Sequence, residues 1–170
     1  MNAAVWSGWA FPADALAPVA SAAGLTVVNS PDDAEVWIAW SLGGLYALEH
    51  LRQQPFARPQ LLVLIASTAR FCADTEWPGM PAANLRALQR QLARAPDDAL
   101  RGFHRLCAGD HATDSLLEHR STGSRTQDLP QGLRALAELD LRAALPAIAV
   151  PTLLLHGAND RVIPIDASRA

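Results

Sequence analysis

Apolar residues in the first part of the chain fall into short continuous runs, separated by polar or glycine-bearing breaks. Ala3 to Trp6 reads as a strand running into the loop Ser7-Gly8-Trp9-Ala10-Phe11-Pro12. Asp14 to Ala23 places Leu16, Val19 and Ala23 at helical spacing, and Gly24 stands where a glycine ends a helix. Leu25 to Val28 is a second strand, closed by the turn sequence Asn29-Ser30-Pro31-Asp32-Asp33. Glu35 to Trp40 is apolar at nearly every position, as a strand buried on both faces of a parallel sheet must be. Ser41-Leu42-Gly43-Gly44 interrupts the run, Leu45 to Arg52 continues as a helix, and Gln60 to Ala66 is a fourth buried strand. This alternation predicts an α/β fold with a mostly parallel sheet flanked by helices.

Past Ser67 the period changes. Asn84 to Ala95 sets Leu85, Leu88 and Leu92 on one helical face, and Asp97 to Cys107 does the same with Leu100, Phe103 and Leu106. Leu129 to Arg142 is a third helix, built around Leu133, Leu136 and Leu139. Strand character returns at Ile148 to Leu155, ahead of His156-Gly157-Ala158-Asn159-Asp160 and then Val162 to Ile165. The expected organisation is an α/β core over residues 1–69 and 143–170, with a helical insertion over 70–142.

Composition narrows the chemistry. The chain has 170 residues, half of them hydrophobic, and a net charge of −3. No basic field recruits nucleic acid. No run of apolar residues is long enough to span a bilayer, and Met1 to Ala10 lacks the basic start and apolar stretch of a signal peptide, so the expectation is a cytoplasmic monomer without a membrane partner. Cys72 and Cys107 form neither a disulfide framework nor a metal set, and are expected as free thiols. All 14 basic residues are arginine, which excludes lysine chemistry such as a Schiff base or a P-loop lysine. No metal or organic cofactor is expected.

The informative segment is Ala39-Trp40-Ser41-Leu42-Gly43-Gly44, between a buried strand and a helix. It matches the G-x-S-x-G nucleophile elbow, with Ala39 in place of the first glycine. The turn has to be tight, so the residues flanking the serine have to be small. Ser41 is the expected nucleophile, and the backbone N–H of Leu42 supplies half of an oxyanion hole. The N–H of Trp9, in the loop after the first strand, is the candidate for the other half. Asp160, in a small-residue turn after a late strand, is the candidate acid, and the order Ser41 then Asp160 is the one this kind of hydrolase uses. A general base should follow the acid, but no histidine follows Asp160; the five are His50, His104, His111, His119 and His156. His50 reads as a surface residue. His104 and His111 are candidates to line a pocket, against the plainer reading that they are solvated.

Taken together, Trp40-Ser41-Leu42-Gly43-Gly44-Leu45, Phe71-x5-Trp77-Pro78-Gly79, His156-Gly157-x2-Asp160-x3-Pro164 and Gly8-Trp9 resemble the pimeloyl-acyl-carrier-protein methyl ester carboxylesterases of biotin synthesis. These are α/β hydrolases with a helical cap. The resemblance implies hydrolysis of a methyl ester on a pimeloyl chain carried by acyl carrier protein. Ser41 and Asp160 would be catalytic, with Trp9 and Leu42 as oxyanion donors. Phe103, His104, Arg105, Leu106 and Cys107 would form a cap segment against the acyl chain. Arg86, Arg90, Arg94, Arg101 and Arg105 are candidates to meet the acidic carrier protein. Only 40 residues precede the elbow serine, and the chain ends ahead of the family's histidine, so the resemblance also implies shortening at both ends. Two other readings stay open: a non-catalytic, truncated hydrolase domain that binds an acyl chain or carrier protein, and an esterase or thioesterase of other specificity.

Overall fold

A computed structural model describes residues 1–54, 57, 59–109 and 128–170. Strands β1 (Asn2–Trp6), β2 (Thr26–Val27), β3 (Val36–Trp40), β4 (Leu61–Ile65) and β5 (Thr152–Leu155) form one sheet in the order β2-β1-β3-β4-β5. Every pairing is parallel, with Val5 beside Ile38, Ile38 beside Val63 and Val63 beside Leu153. All strands therefore end at the same edge of the sheet, where crossover connections leave room for a site. Helices α1 (Ala17–Ala22) and α2 (Leu42–Gln53) belong to this frame. Helices α3 (Ala82–Arg94), α4 (Pro96–Ala108) and α5 (Leu129–Glu138) lie between β4 and β5 in the chain, and α6 (Asp166–Arg169) follows β5.

Residues alternate across the central strands. Ala4, Trp37, Ala39, Leu62 and Leu64 pack on one face with Leu45 and Leu48 of α2, and this core runs on into Leu85, Leu133 and Leu136 of the insertion helices. Ala3, Val36 and Ile38 face the other way, against Leu16 and Ala20. The insertion thus shares one apolar core with the sheet. Cys72 is buried and Cys107 half-buried, neither in a disulfide, and burial pushes the Cys72 thiol up from its ordinary value.

Several elements are shorter or displaced relative to the sequence reading. Helix α2 begins at Leu42 rather than Leu45, because a single strained residue, Ser41, makes the whole turn. The third insertion helix ends at Glu138, where Asp140 forms an antiparallel bridge with Arg70. The strand expected from Ile148 starts only at Thr152; a 3₁₀ turn over Arg142–Ala147, with Pro146 inside it, takes up the chain before. His50 is half-buried rather than on the surface, its ring 5.3 Å from that of Trp37.

Ion pairs join the two ends of the segment between β4 and β5. Asp140 accepts from Arg70 Nη1 at 2.6 Å and from Arg142 Nη2 at 2.7 Å, and Asp74 lies 3.4 and 3.2 Å from the same two guanidinium groups. The Arg142 guanidinium also stands over the Trp77 ring at 5.6 Å. These charges tie two segments 70 residues apart.

Candidate active site

Ser41 has φ 54° and ψ −120°, in the left-handed region that a side chain adopts only under constraint. Its surroundings supply that constraint. Ser41 N–H donates to the Ile65 carbonyl at 3.0 Å, and its own carbonyl accepts from Gly44 N–H at 2.9 Å and from the Ser67 hydroxyl at 3.0 Å. A Cβ at Gly43 would fall against the Trp6 carbonyl, and one at Gly44 against the Ser67 hydroxyl. The small residues of the elbow are therefore required by backbone passing close by. Ala39 is fully buried, so its extra methyl fits the position where the motif has glycine.

Two backbone amides stand near the serine without an acceptor among the described residues, those of Trp9 and Leu42. Leu42 opens α2, a 12-residue helix whose N-terminal dipole favours negative charge. The Gly8–Trp9 loop presses on Ser41 closely enough that a Cβ at Gly8 would lie 3.3 Å from Ser41 Cβ. Trp9 is locked in turn. Its indole N–H donates to the Leu129 carbonyl at 2.9 Å, and its ring meets Phe103 edge-on at 4.8 Å.

Asp160 follows β5. Its Oδ1 accepts from the Val162 and Ile163 amides at 2.7 and 2.9 Å, and its Oδ2 lies 3.5 Å from His156 Nε2. Two cavities meet here, of about 580 and 620 Å³, and Trp9, Ser41, Phe103, Leu106 and Asp160 line both. The second runs between α3 and α4 past Phe71, Met80, Leu85 and Leu88, and is apolar along that course.

The sequence-predicted residues divide clearly. Ser41, Asp160, Trp9, Phe103, Leu106 and Cys107 stand on cavity walls, and Leu42 begins the helix beside them. His104 does not: it is 1% exposed, with Nε2 2.8 Å from the Ala10 carbonyl. Arg105 is exposed to solvent. Among the described residues no histidine lines either cavity. His156 is held on the Ile163 carbonyl, and His111 and His119 lie outside the described residues. Sequence reasoning passed over Ser67 and Ser168, whose contacts join positions 26 and 101 residues apart. The only sequence signal for Ser67 was its place just after a buried strand. Among the described residues no His, Cys, Asp and Glu side chains cluster as a metal site. No described helix is long and apolar enough to cross a membrane.

Known proteins resemble the chain in both sequence and fold. It is 33% identical to the pimeloyl-[acyl-carrier protein] methyl ester esterase of Xanthomonas campestris over 165 residues, 92% of this chain and 64% of that protein. The esterase of the same name from Vibrio vulnificus is 33% identical over 148 residues, 83% of this chain and 57% of its own length. The chain thus spans somewhat under two thirds of these curated relatives. An esterase from Exiguobacterium antarcticum superposes with a TM-score of 0.80 at 20% identity, covering 99% of this chain and 78% of its own. A bromoperoxidase from Bacillus anthracis does so with a TM-score of 0.81 at 15% identity, covering 98% and 76%. The alpha/beta hydrolase family profile matches residues 4–170. With the parallel sheet beneath it, this match establishes that the chain belongs to the alpha/beta hydrolase family.

Proposed function

We propose that this chain carries the nucleophile, oxyanion site and acid of a serine carboxylesterase, whose substrate is an acyl ester presented on a carrier protein. The observation that carries the reading is Ser41 at φ 54°, beside two amides without an acceptor among the described residues and on one cavity wall with Asp160. Ser41 Oγ attacks the ester carbonyl, and the developing oxyanion takes hydrogen bonds from the Trp9 and Leu42 amides. Collapse of the tetrahedral species expels the alcohol, methanol for a methyl ester, and leaves an acyl-enzyme that water then hydrolyses. Asp160 orients and charge-balances the base that takes the Ser41 proton. The described residues do not supply that base.

The pimeloyl methyl ester as substrate rests on the names of the curated relatives. The apolar cavity between α3 and α4 suits a carbon chain. Arg86, Arg90 and Arg94 are exposed at successive four-residue intervals along α3 and suit an acidic carrier protein, whereas Arg101 is already paired with Asp98. Phe103, Leu106 and Cys107 would contact the acyl chain. We further read residues 70–142 as the cap, and the protein as a cytoplasmic monomer acting in biotin synthesis.

The test is hydrolysis of p-nitrophenyl butyrate with and without free imidazole, beside Ser41→Ala. The expected outcome is Ser41-dependent turnover, raised on the order of tenfold or more by imidazole acting as the base. A rate that survives in Ser41→Ala would remove the serine mechanism. Ser41-dependent turnover at full rate without imidazole would place the base on His111 or His119. The reading of a non-catalytic acyl-binding domain would gain if carrier protein bound and no condition gave turnover.

A further inference from the structure

An unbroken line of polar contacts runs behind the cavities, from the acid loop to the elbow. Asp160 Oδ2 lies 3.5 Å from His156 Nε2, which meets the Ile163 carbonyl at 2.9 Å. The other ring nitrogen, Nδ1, is 2.5 Å from the Ser168 hydroxyl. Ser168 donates to the Ser67 carbonyl at 2.6 Å, and the Ser67 hydroxyl donates to the Ser41 carbonyl at 3.0 Å. The His156 side chain is 5% exposed and Ser67 3%, so solvent does not dilute these contacts. Each link comes from a different part of the chain: the turn after β5, helix α6, the loop after β4 and the elbow after β3.

We infer that His156, Ser168 and Ser67 are positioning residues that hold Asp160 and Ser41 in fixed relation. The inference rests on the reading of those two as acid and nucleophile. The alternative routes are weak. Asp160 and Ser41 sit on separate loops with a cavity between them, and the β3–β4–β5 ladder holds the strands beneath but not the loops themselves. The chain of contacts joins the loops directly. Ser168 has a single hydroxyl proton, which reaches the Ser67 carbonyl when His156 Nδ1 carries a proton of its own and donates to Ser168. That arrangement closes the line from acid loop to elbow; with Nδ1 bare, the Ser168 proton turns to it and the Ser67 carbonyl is left. None of the three lines the cavities described above, so none touches the reacting atoms.

The experiment compares Ser168→Ala and Ser168→Thr with Ser30→Ala, a distant hydroxyl that caps a 3₁₀ turn. Amide hydrogen exchange is followed at Ser41, Val162 and Ile163, and kcat and KM are measured with p-nitrophenyl butyrate in imidazole. Ser168→Ala should speed exchange at all three amides about tenfold and lower kcat about tenfold, with KM changed less than about twofold. Ser168→Thr, which keeps the hydroxyl, should restore both, and Ser30→Ala should alter neither. If Ser168→Ala proves unfolded, His156→Gln carries the same expectation, because it keeps an N–H for Ile163 but loses the Ser168 link. Faster exchange confined to Ala167–Ala170 would overturn the inference. Absence of Ser41-dependent turnover in the unmodified chain would instead sink the esterase reading, and the exchange data would still decide the relay.

Discussion

Ser41 is held where a side chain costs about 1–3 kcal/mol of backbone strain, and Ala10 at φ 62° and Ala66 at φ 43° share the left-handed region. Ser41 and Ala66 directly follow β3 and β4, and Ala10 lies in the loop after β1, all on the edge that carries the cavities. The strain is tolerable only because hydrogen bonds and packing around the elbow fix the turn. Replacing Ser41 by glycine should therefore stabilise the fold while abolishing any chemistry at Oγ. The expected gain is about 1 kcal/mol, a rise in Tm of roughly 2–4 °C for a domain of this size. Calorimetry beside Ser41→Ala, which keeps the strain, checks this; equal melting temperatures for the two variants would show that the turn is unstrained. The elbow serine was legible from its neighbours, because tight turns need small residues wherever they occur. The conformation of Ala10 was not, since alanine carries no signature of positive φ.

At the scale of elements, the helical period of Leu85, Leu88 and Leu92 and the unbroken apolar run of β3 announced their structures directly. The joints between elements were harder to read. Nothing in the sequence pairs Arg70, Asp74, Asp140 and Arg142, yet they clasp the two ends of the segment between β4 and β5. The hydrogen bonds from Arg142, then those from Arg70, hold the Asp140 carboxyl well below its ordinary value of 3.8. A carboxylate with a depressed folded value stabilises the protein fully above its unfolded value. That contribution is lost as pH falls from about 4 toward the folded value. Asp140→Asn should cost about 1 kcal/mol at neutral pH, because the cluster is part-exposed and screened, and should cost less at pH 3. Urea midpoints at the two pH values measure the difference, and an equal loss at both would mean that the carboxylate charge is irrelevant. Two histidines were also misplaced. His50 read as a surface residue and His104 as a cap residue against the acyl chain or a solvated one; instead the Phe11 ring stands 5.0 Å from the buried His104, and the Trp37 ring 5.3 Å from the half-buried His50.

Over the whole molecule the sheet is asymmetric. Among the described residues β2 and β5 are its edges; β2 is only two residues long, whereas β5, which pairs only with β4, exposes Leu153, Leu154 and Leu155 by 45–50%. Three adjacent apolar side chains on an open strand are a template for association between copies. Leu154→Lys puts a charge on that edge and should reduce light scattering as the protein is concentrated. Undiminished scattering would place the sticky surface elsewhere. Apolar content marked Ile148 to Leu155 as a strand but said nothing of this exposure, because it reports what a strand can bury and not whether a neighbour covers it. Long-range joints such as Ser67 with Ser168 were invisible for a related reason: neither residue has a pattern until the fold brings them together.

The placement of Trp9 has an optical consequence. Its indole forms part of the wall of both cavities, anchored by one hydrogen bond and by the edge of Phe103. Trp77, by contrast, has its N–H on the Arg70 carbonyl and its face under Arg142, next to charge rather than to either chamber. Of the five tryptophans, Trp9 and Trp40 stand on the walls of these cavities and Trp6, Trp37 and Trp77 do not. Occupancy becomes visible as a change in the part of the intrinsic emission that the first two contribute, with no label attached and no bond broken.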